Sequence, residues 1–234
     1  SYPIGQDGKL GEVRSVIGDL PWVNWEHGVN GIAAGPDGWL YLSIGNIEDV
    51  SDEFMASVQD LQHTNVNLIG TIVRFRPDGS DLEIYAKGVR NIWGLAFDDR
   101  GRLYGADNDG NTPGGQNRVD QILQIKEGRN YGFPFPEERD DEAIGVLNNQ
   151  SPVDVEWASK AGLKPGVLVG TRGRLLYVPL TEDEDQVLGA KNTIFRTDDT
   201  PTSNAVGDLW IHGQNIEVAT QPDSSVSWET RYEG

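Results

Sequence analysis

Cysteine is absent from the chain, which removes disulfides, thiolate nucleophiles and every Cys-ligated zinc or iron–sulfur centre at once. The absence assigns no compartment, because a reducing cytosol and an exported protein both do without thiols. Histidine occurs three times; His63 and His212 show no partner in the sequence and receive no role. Basic residues number 19 against 37 acidic ones, for a formal net charge of −18. Like-charge repulsion then speaks against nucleic acid or an anionic membrane surface as the main partner. Such acidity suits secreted proteins and high-salt habitats alike. No apolar run approaches the roughly 20 residues that span a bilayer, so no membrane span is expected. The chain opens at Ser1 with neither an initiating Met nor a signal peptide, and it reads as a processed product or a fragment.

What is plentiful is backbone punctuation. Gly occurs 29 times and Pro 12 times, while 7 Trp, 7 Tyr and 6 Phe supply core material. This balance suits many short strands joined by turns and argues against long helices. An internal repeat sharpens the reading. Residues 31–46 read GIAAGPDGWLYLSIGN and residues 94–109 read GLAFDDRGRLYGADND, at an offset of 94 − 31 = 63. Gly31/Gly94, Ala33/Ala96, Gly38/Gly101, Leu40/Leu103 and Tyr41/Tyr104 coincide. Each copy is an apolar strand, a tight turn and a second apolar strand. Pro36-Asp37-Gly38 makes one turn and Asp99-Arg100-Gly101 the other, with Gly accepting the positive φ that a hairpin needs.

Two more strands, Thr71–Arg76 and Leu82–Ala86, flank a second Pro-Asp-Gly at Pro77-Asp78-Gly79. Four antiparallel strands per repeat, at a spacing of about 40–50 residues, are the signature of a propeller blade. The expected fold is therefore an all-β propeller of four-stranded blades forming one domain over residues 1–234. Gly31–Ala86 forms one blade, and a second starts at Gly94 and includes Asp120–Lys126. A helical insertion is expected over residues 50–62, with Ser51 as N-cap and Phe54, Val58 and Leu61 on one face. Residues 134–147 read as an acidic loop. Further strands are expected at Gly166–Val169, Gly173–Leu180, Asp208–His212, Asn215–Ala219 and Ser225–Tyr232. A sandwich is the competing all-β architecture, and the long-range repeat favours the propeller.

Three segments carry a resemblance to a known family. The first is His27 followed by Gly35-Pro36-Asp37-Gly38-Trp39-Leu40-Tyr41. The second is Gly88-Val89-Arg90-Asn91-Ile92-Trp93-Gly94-Leu95-Ala96-Phe97, and the third Gly128-Arg129-Asn130-Tyr131-Gly132-Phe133-Pro134. Together they resemble the glucose/sorbosone dehydrogenases that depend on pyrroloquinoline quinone (PQQ), and Val226–Gly234 is similar to the closing strand of that family. The resemblance implies an exported protein, extracellular or periplasmic, with a six-bladed propeller that holds PQQ over its axis through calcium and polar side chains. It implies an oxidoreductase in which hydride passes from a sugar hydroxyl carbon to PQQ, and electrons then pass to an acceptor. By motif, His27 matches the catalytic base, and Arg90 and Asn91 match the pair that contacts the cofactor. A neutral imidazole suits proton abstraction near neutral pH, and the Arg90 fork suits the carboxylates of such a quinone.

Two further groups are candidates. Arg172 and Arg174 form a local basic cluster that supplies cofactor contacts or neutralises nearby carboxylates. Asp107-Asn108-Asp109-Gly110-Asn111 has the opening rhythm of a calcium loop, making Asp107, Asp109 and Asn111 candidate metal ligands, although an Asx-rich turn has the same composition. The chain also departs from the family pattern. The family chain is longer, whereas only 26 residues precede His27 here. About five blades at most fit the length, so a homo-oligomer or a completing chain is one expectation. Trp93 replaces a polar residue often found after Arg-Asn, Gln121 and Leu123 replace an acid and an amide after Asp120, and Asn46 stands where Asp is common. Two alternatives to the sugar or alcohol dehydrogenase follow: a non-catalytic propeller that binds carbohydrate or protein or serves as a structural subunit, and a lactonase-type hydrolase with calcium in its channel.

Overall fold

The computed structural model describes residues 3–21, 27–46, 66–108, 119–133, 135–147, 150–171, 174–181, 183, 192–196, 205–212 and 215–221. The first sheet is a simple meander of β1 (Val29–Ala34), β2 (Leu40–Ile44), β3 (Thr71–Phe75) and β4 (Glu83–Lys87). The second holds β5 (Ile92–Phe97), β6 (Leu103–Asp107), β7 (Gln121–Ile125) and β8 (Gly145–Val146). The third holds β9 (Pro152–Trp157), β10 (Gly166–Thr171), β11 (Arg174–Pro179) and β12 (Asn192–Arg196). A two-stranded sheet of β13 (Ala205–His212) and β14 (Asn215–Gln221) follows. All the paired strands within these sheets run antiparallel.

The turns form as their residues dictate. Gly38 and Gly101 sit at φ 80° and 78°, where a side chain would strain the backbone. Asp37 accepts from the Trp39 N–H at 3.2 Å and the Tyr41 hydroxyl at 2.7 Å, and Asp98 accepts from the Arg100 and Arg102 N–H groups at 2.8 Å each. These side chains satisfy backbone donors that a tight hairpin turn leaves over.

Each sheet presents one apolar face to the next. Tyr41, Ile72 and Ala86 of the first sheet meet Ile92, Leu95 and Leu123 of the second. Ala96, Tyr104 and Ile122 on the other face of the second meet Val155, Trp157 and Val169 of the third. Tyr104 and Trp157 stack with ring centroids 5.3 Å apart. Leu168 and Leu175 then meet Leu209, Ile211 and Ile216 of the last pair of strands. Buried side chains of this size contribute roughly 1.5–3 kcal/mol each, so face-to-face burial, repeated blade after blade, is the main stabilising term. Val16, Ile17 and Leu20 cover Leu42, Ile44, Val73 and Phe75 on the remaining face of the first sheet.

This is a β-propeller, with β1, β5, β9 and β13 as innermost strands. Their spacing depends on two repeat glycines. A Cβ at Gly31 would stand 2.6 Å from the Trp93 carbonyl oxygen, and one at Gly94 would land on the Asp154 carboxylate and the Val155 N–H. The two blades expected from the repeat are the first two sheets. The acidic stretch is not loop throughout: it contains a 3-10 turn, Pro136–Glu138, and then β8, which completes the second blade. Strands β9 and β12 were not expected, because Pro and two carboxylates interrupt PVDVEW, and NTIFR is short. The expected helix over 50–62, Gly173 and the strand expected at Ser225–Tyr232 lie outside the described residues. Among the described residues no helix is long and apolar enough to cross a membrane.

Candidate functional site at the channel mouth

The repeat places residues 27–30 and 90–93 at equivalent positions, each leading into an innermost strand. Antiparallel pairing then brings the ends of the neighbouring strands to the same place. Ile44 pairs with Val29 and Asp107 with Ile92, so Asn46 and Asp107 join His27, Arg90 and Asn91 at one mouth of the propeller.

His27 is buried, and its Nδ1 lies 2.6 Å from the Asn46 carbonyl oxygen. A carbonyl can only accept, so Nδ1 carries the proton and the lone pair of the neutral ring sits on Nε2. The Asn46 N–H in turn donates to the Arg90 carbonyl at 2.6 Å, which ties the first blade to the second. Gly45 leaves no room for a side chain: a Cβ there would be 2.9 Å from His27 Cα and 3.1 Å from Asn91 Oδ1. The close approach of His27 to Asn91 therefore requires glycine at that position.

Asn91 is buried, and its Oδ1 accepts from Asn30 Nδ2 at 2.7 Å. Its own Nδ2 donates no hydrogen bond among the described residues and is not sealed in the interior. Asp107 accepts from the Asn91 N–H at 2.7 Å and from the Arg90 N–H at 3.0 and 3.2 Å. Burial pushes its carboxyl above the ordinary aspartate range. The Arg90 and Asn91 N–H groups and the Arg90 charge oppose that rise, and Asp120 adds to it. The Arg90 guanidinium donates from Nη1 to the Asn108 carbonyl at 2.5 Å. Asp120, also buried, accepts from the Ser151 N–H at 2.7 Å and steadies the entry to β9.

His27, Arg90, Asn91 and Asp107 are thus brought together. Arg174 begins β11, away from the innermost strand, and among the described residues no hydrogen bond or ion pair joins it to Arg90 or Asn91. Arg172, Asp109 and Asn111 lie outside the described residues. The third motif segment acts at one remove. The Arg129 carbonyl accepts from Lys87 N–H at 3.0 Å, and Phe133 N–H donates to the Gly88 carbonyl at 2.9 Å, so the segment braces the turn that carries Arg90. Asn30, Asn46 and Asp120 belong to the site without having been singled out as site residues. Their common signal is position at a strand end: Asn30 is the second residue of β1, Asn46 lies two residues beyond β2, and Asp120 immediately precedes β7. Beneath the mouth lies a channel of about 550 Å³ along the innermost strands, lined among others by Asn30, Ile32, Trp93, Leu95, Asp154 and Glu156.

A quinone bearing carboxylates needs permanent positive charge and N–H donors. Arg90 and Asn91 Nδ2 offer both at the mouth, so the residues present fit such a group. Calcium needs several oxygens around one point. Asp107 turns its oxygens to backbone N–H groups, the Asn108 carbonyl takes Arg90, and among the described residues no three His, Asp or Glu side chains gather. The described part of this loop does not fit a calcium ion.

Residues 5–151 match the model of a family described as "Domain of unknown function (DUF7133)". Among solved structures, the chain is similar to the PQQ-bound form of aldose sugar dehydrogenase from Streptomyces coelicolor. The TM-score is 0.62 at 23% identity, covering 91% of this chain and 61% of that one. A putative oxidoreductase (glucose dehydrogenase) from Thermus thermophilus matches with a TM-score of 0.66 at 21% identity, covering 91% and 66% of the two chains. The holo form of the pyranose dehydrogenase PQQ domain from Coprinopsis cinerea matches with a TM-score of 0.61 at 12% identity, covering 96% and 74%. At these identities the likeness is one of fold. The chain spans less than two thirds of the first two relatives.

Proposed function

The chain belongs to the family described as a domain of unknown function, DUF7133, and we propose that its propeller mouth is the redox site of a quinone-dependent dehydrogenase acting on a sugar or related alcohol. The observation that carries this reading is the His27 ring: buried, with Nδ1 donating at 2.6 Å to a backbone carbonyl, and set beside Asn91. That hydrogen bond fixes the tautomer whose Nε2 accepts a proton. It also opposes the positive charge that develops on the ring as the proton arrives.

When bound, PQQ supplies the two-electron acceptor. Arg90 and Asn91 hold and orient polar oxygens at the mouth, the first with charge and the second with an amide N–H. Asp107 fixes the backbone from which both side chains project, and acts as a positioning residue. His27 Nε2 takes the hydroxyl proton of the alcohol while hydride leaves the carbon that bears the hydroxyl, so one proton passes to His27, a proton with two electrons passes to the acceptor, and a carbonyl remains.

PQQ titration, with and without calcium and followed by tryptophan fluorescence, tests the site directly. The expected result is saturable binding, weakened at least tenfold in Arg90→Ala. Turnover of aldoses with an artificial acceptor is expected to fall by about 10²–10⁴ in His27→Ala, with PQQ still bound. Unchanged turnover in His27→Ala would remove the assigned base, and failure of the folded protein to bind PQQ would remove the redox reading altogether. A non-catalytic propeller is the second reading. It is favoured by the engagement of Asp107 with backbone donors, and it predicts no PQQ binding under either condition.

A further inference from the structure

Three tryptophan side chains are described, and two have evident structural tasks. Trp157 is fully buried, stacks on Tyr104 and donates from Nε1 to Asp99 at 3.1 Å. Trp39 lies under Arg76 and Arg74, whose guanidinium carbons stand 3.8 and 4.8 Å from its ring centroid. Trp93 differs. It lines the channel, is only partly buried, and belongs to none of the hydrophobic clusters. No ring contact, cation–π contact or Nε1 hydrogen bond engages it among the described residues. A large amphipathic ring that lines a polar cavity and lies outside the hydrophobic clusters of the described residues is what a ligand-stacking platform requires.

Its surroundings narrow the ligand. Asn30 Nδ2 is engaged with Asn91, while Asn30 Oδ1 accepts nothing among the described residues. Asp154 accepts from the Leu209 N–H at 2.7 Å and from the Val155 N–H at 2.8 Å, and Glu156 pairs with Lys160 at 3.1 Å. A carboxylate has about four acceptor positions, so Glu156 keeps capacity for hydroxyl donors. An aromatic face, an amide oxygen and the Glu156 carboxylate suit a neutral polyhydroxylated ring, whose C–H face stacks while its hydroxyls donate. The Asp154 and Glu156 carboxylates repel an anionic sugar. A channel of about 550 Å³ has room for one or two such rings. Trp93 also stands two residues from Asn91, about 7 Å along the strand, so a ring held there reaches toward the mouth.

We propose that Trp93 is the stacking platform for a neutral pyranose ring in the propeller channel, with Asn30 and Glu156 accepting its hydroxyls. The link to turnover rests on the dehydrogenase reading; the binding itself does not. D-Glucose, cellobiose, D-sorbitol and D-glucuronate are titrated without quinone, following tryptophan fluorescence and heat in wild type, Trp93→Phe and Trp93→Ala. Expected is a saturable spectral shift with D-glucose or cellobiose, much weaker with open-chain sorbitol and with glucuronate. The shift is lost in Trp93→Phe, while calorimetric affinity stays within about threefold; in Trp93→Ala affinity falls about tenfold. Should Trp93→Ala fail to fold, the loss of the shift in Trp93→Phe with affinity retained carries the same information. A wild-type spectrum unmoved by either cyclic sugar, or a shift that survives in Trp93→Phe, overturns the proposal, as does glucuronate binding as well as glucose. Sugar binding through Trp93 without any PQQ binding leaves this inference standing and removes the dehydrogenase; turnover with affinity and KM unmoved in Trp93→Ala does the reverse.

Discussion

Asp107 holds the turn that presents Arg90 and Asn91, and the strength of that hold is measurable. Asp107→Ala leaves two N–H groups without their charged acceptor and is expected to cost about 3 kcal/mol, read as a lower denaturant midpoint at unchanged slope. Asp107→Asn keeps an acceptor of the same shape and is expected to cost about 1 kcal/mol near neutral pH. The pH dependence has a definite sign. Burial raises the folded carboxyl above its unfolded value, so between those values the native state binds more protons than the unfolded one. Stability from this residue is therefore fully present below the unfolded value and declines as pH rises through the folded one. Asp107→Asn should remove that decline, and stability profiles of the two proteins that stay parallel would contradict it. Of the residues at the mouth, His27, Arg90 and Asn91 were legible because their segments resemble the motifs of a known family. The task of Asp107 was not, since an Asp in an Asx-rich segment reads equally as a ligand or a turn residue until its hydrogen-bond partners are known.

At the level of strands and turns, the two glycine types separate cleanly. Gly38 has φ 80° with nothing within 4 Å of a built Cβ, so Gly38→Ala meets backbone strain alone, about 1–2 kcal/mol. Gly94 is different, because an added methyl collides with Asp154 and with the Val155 backbone of the neighbouring blade. Gly94→Ala is expected to destabilise by about 3 kcal/mol or more and to part β5 from β9; thermal and denaturant unfolding compare the two variants directly. If both cost the same, close contact between innermost strands is not what the glycine serves. The repeat showed that Gly31 and Gly94 matter together. It did not show why, since the contact each one permits belongs to a strand about sixty residues further on. Strand β9 was not legible for a related reason: Val155 and Trp157 are buried with residues of the second sheet, and local alternation records such burial poorly.

For the molecule as a whole, the net charge of −18 opposes compaction through self-repulsion. Raising NaCl from about 10 mM to about 200 mM shortens the Debye length from roughly 30 Å to under 10 Å. Tm is expected to rise by roughly 2–4 °C, as followed by circular dichroism. A fall would mean that ion pairs such as Arg74 with Glu83 and Glu127, at 2.6 and 2.7 Å, outweigh the repulsion. Period, turn chemistry and composition by themselves determined that this chain makes four-stranded antiparallel blades, because hairpin turns and alternating burial are written in neighbouring residues. The resemblance of three segments to a known family, and not period or composition, marked His27, Arg90 and Asn91 as one group. Only the tertiary structure decided that Asn46 orients His27, that Asp107 serves the backbone, and that Trp93 faces an open channel. Those outcomes depend on strands far apart in sequence meeting around a common axis, and no local pattern encodes which atoms meet there.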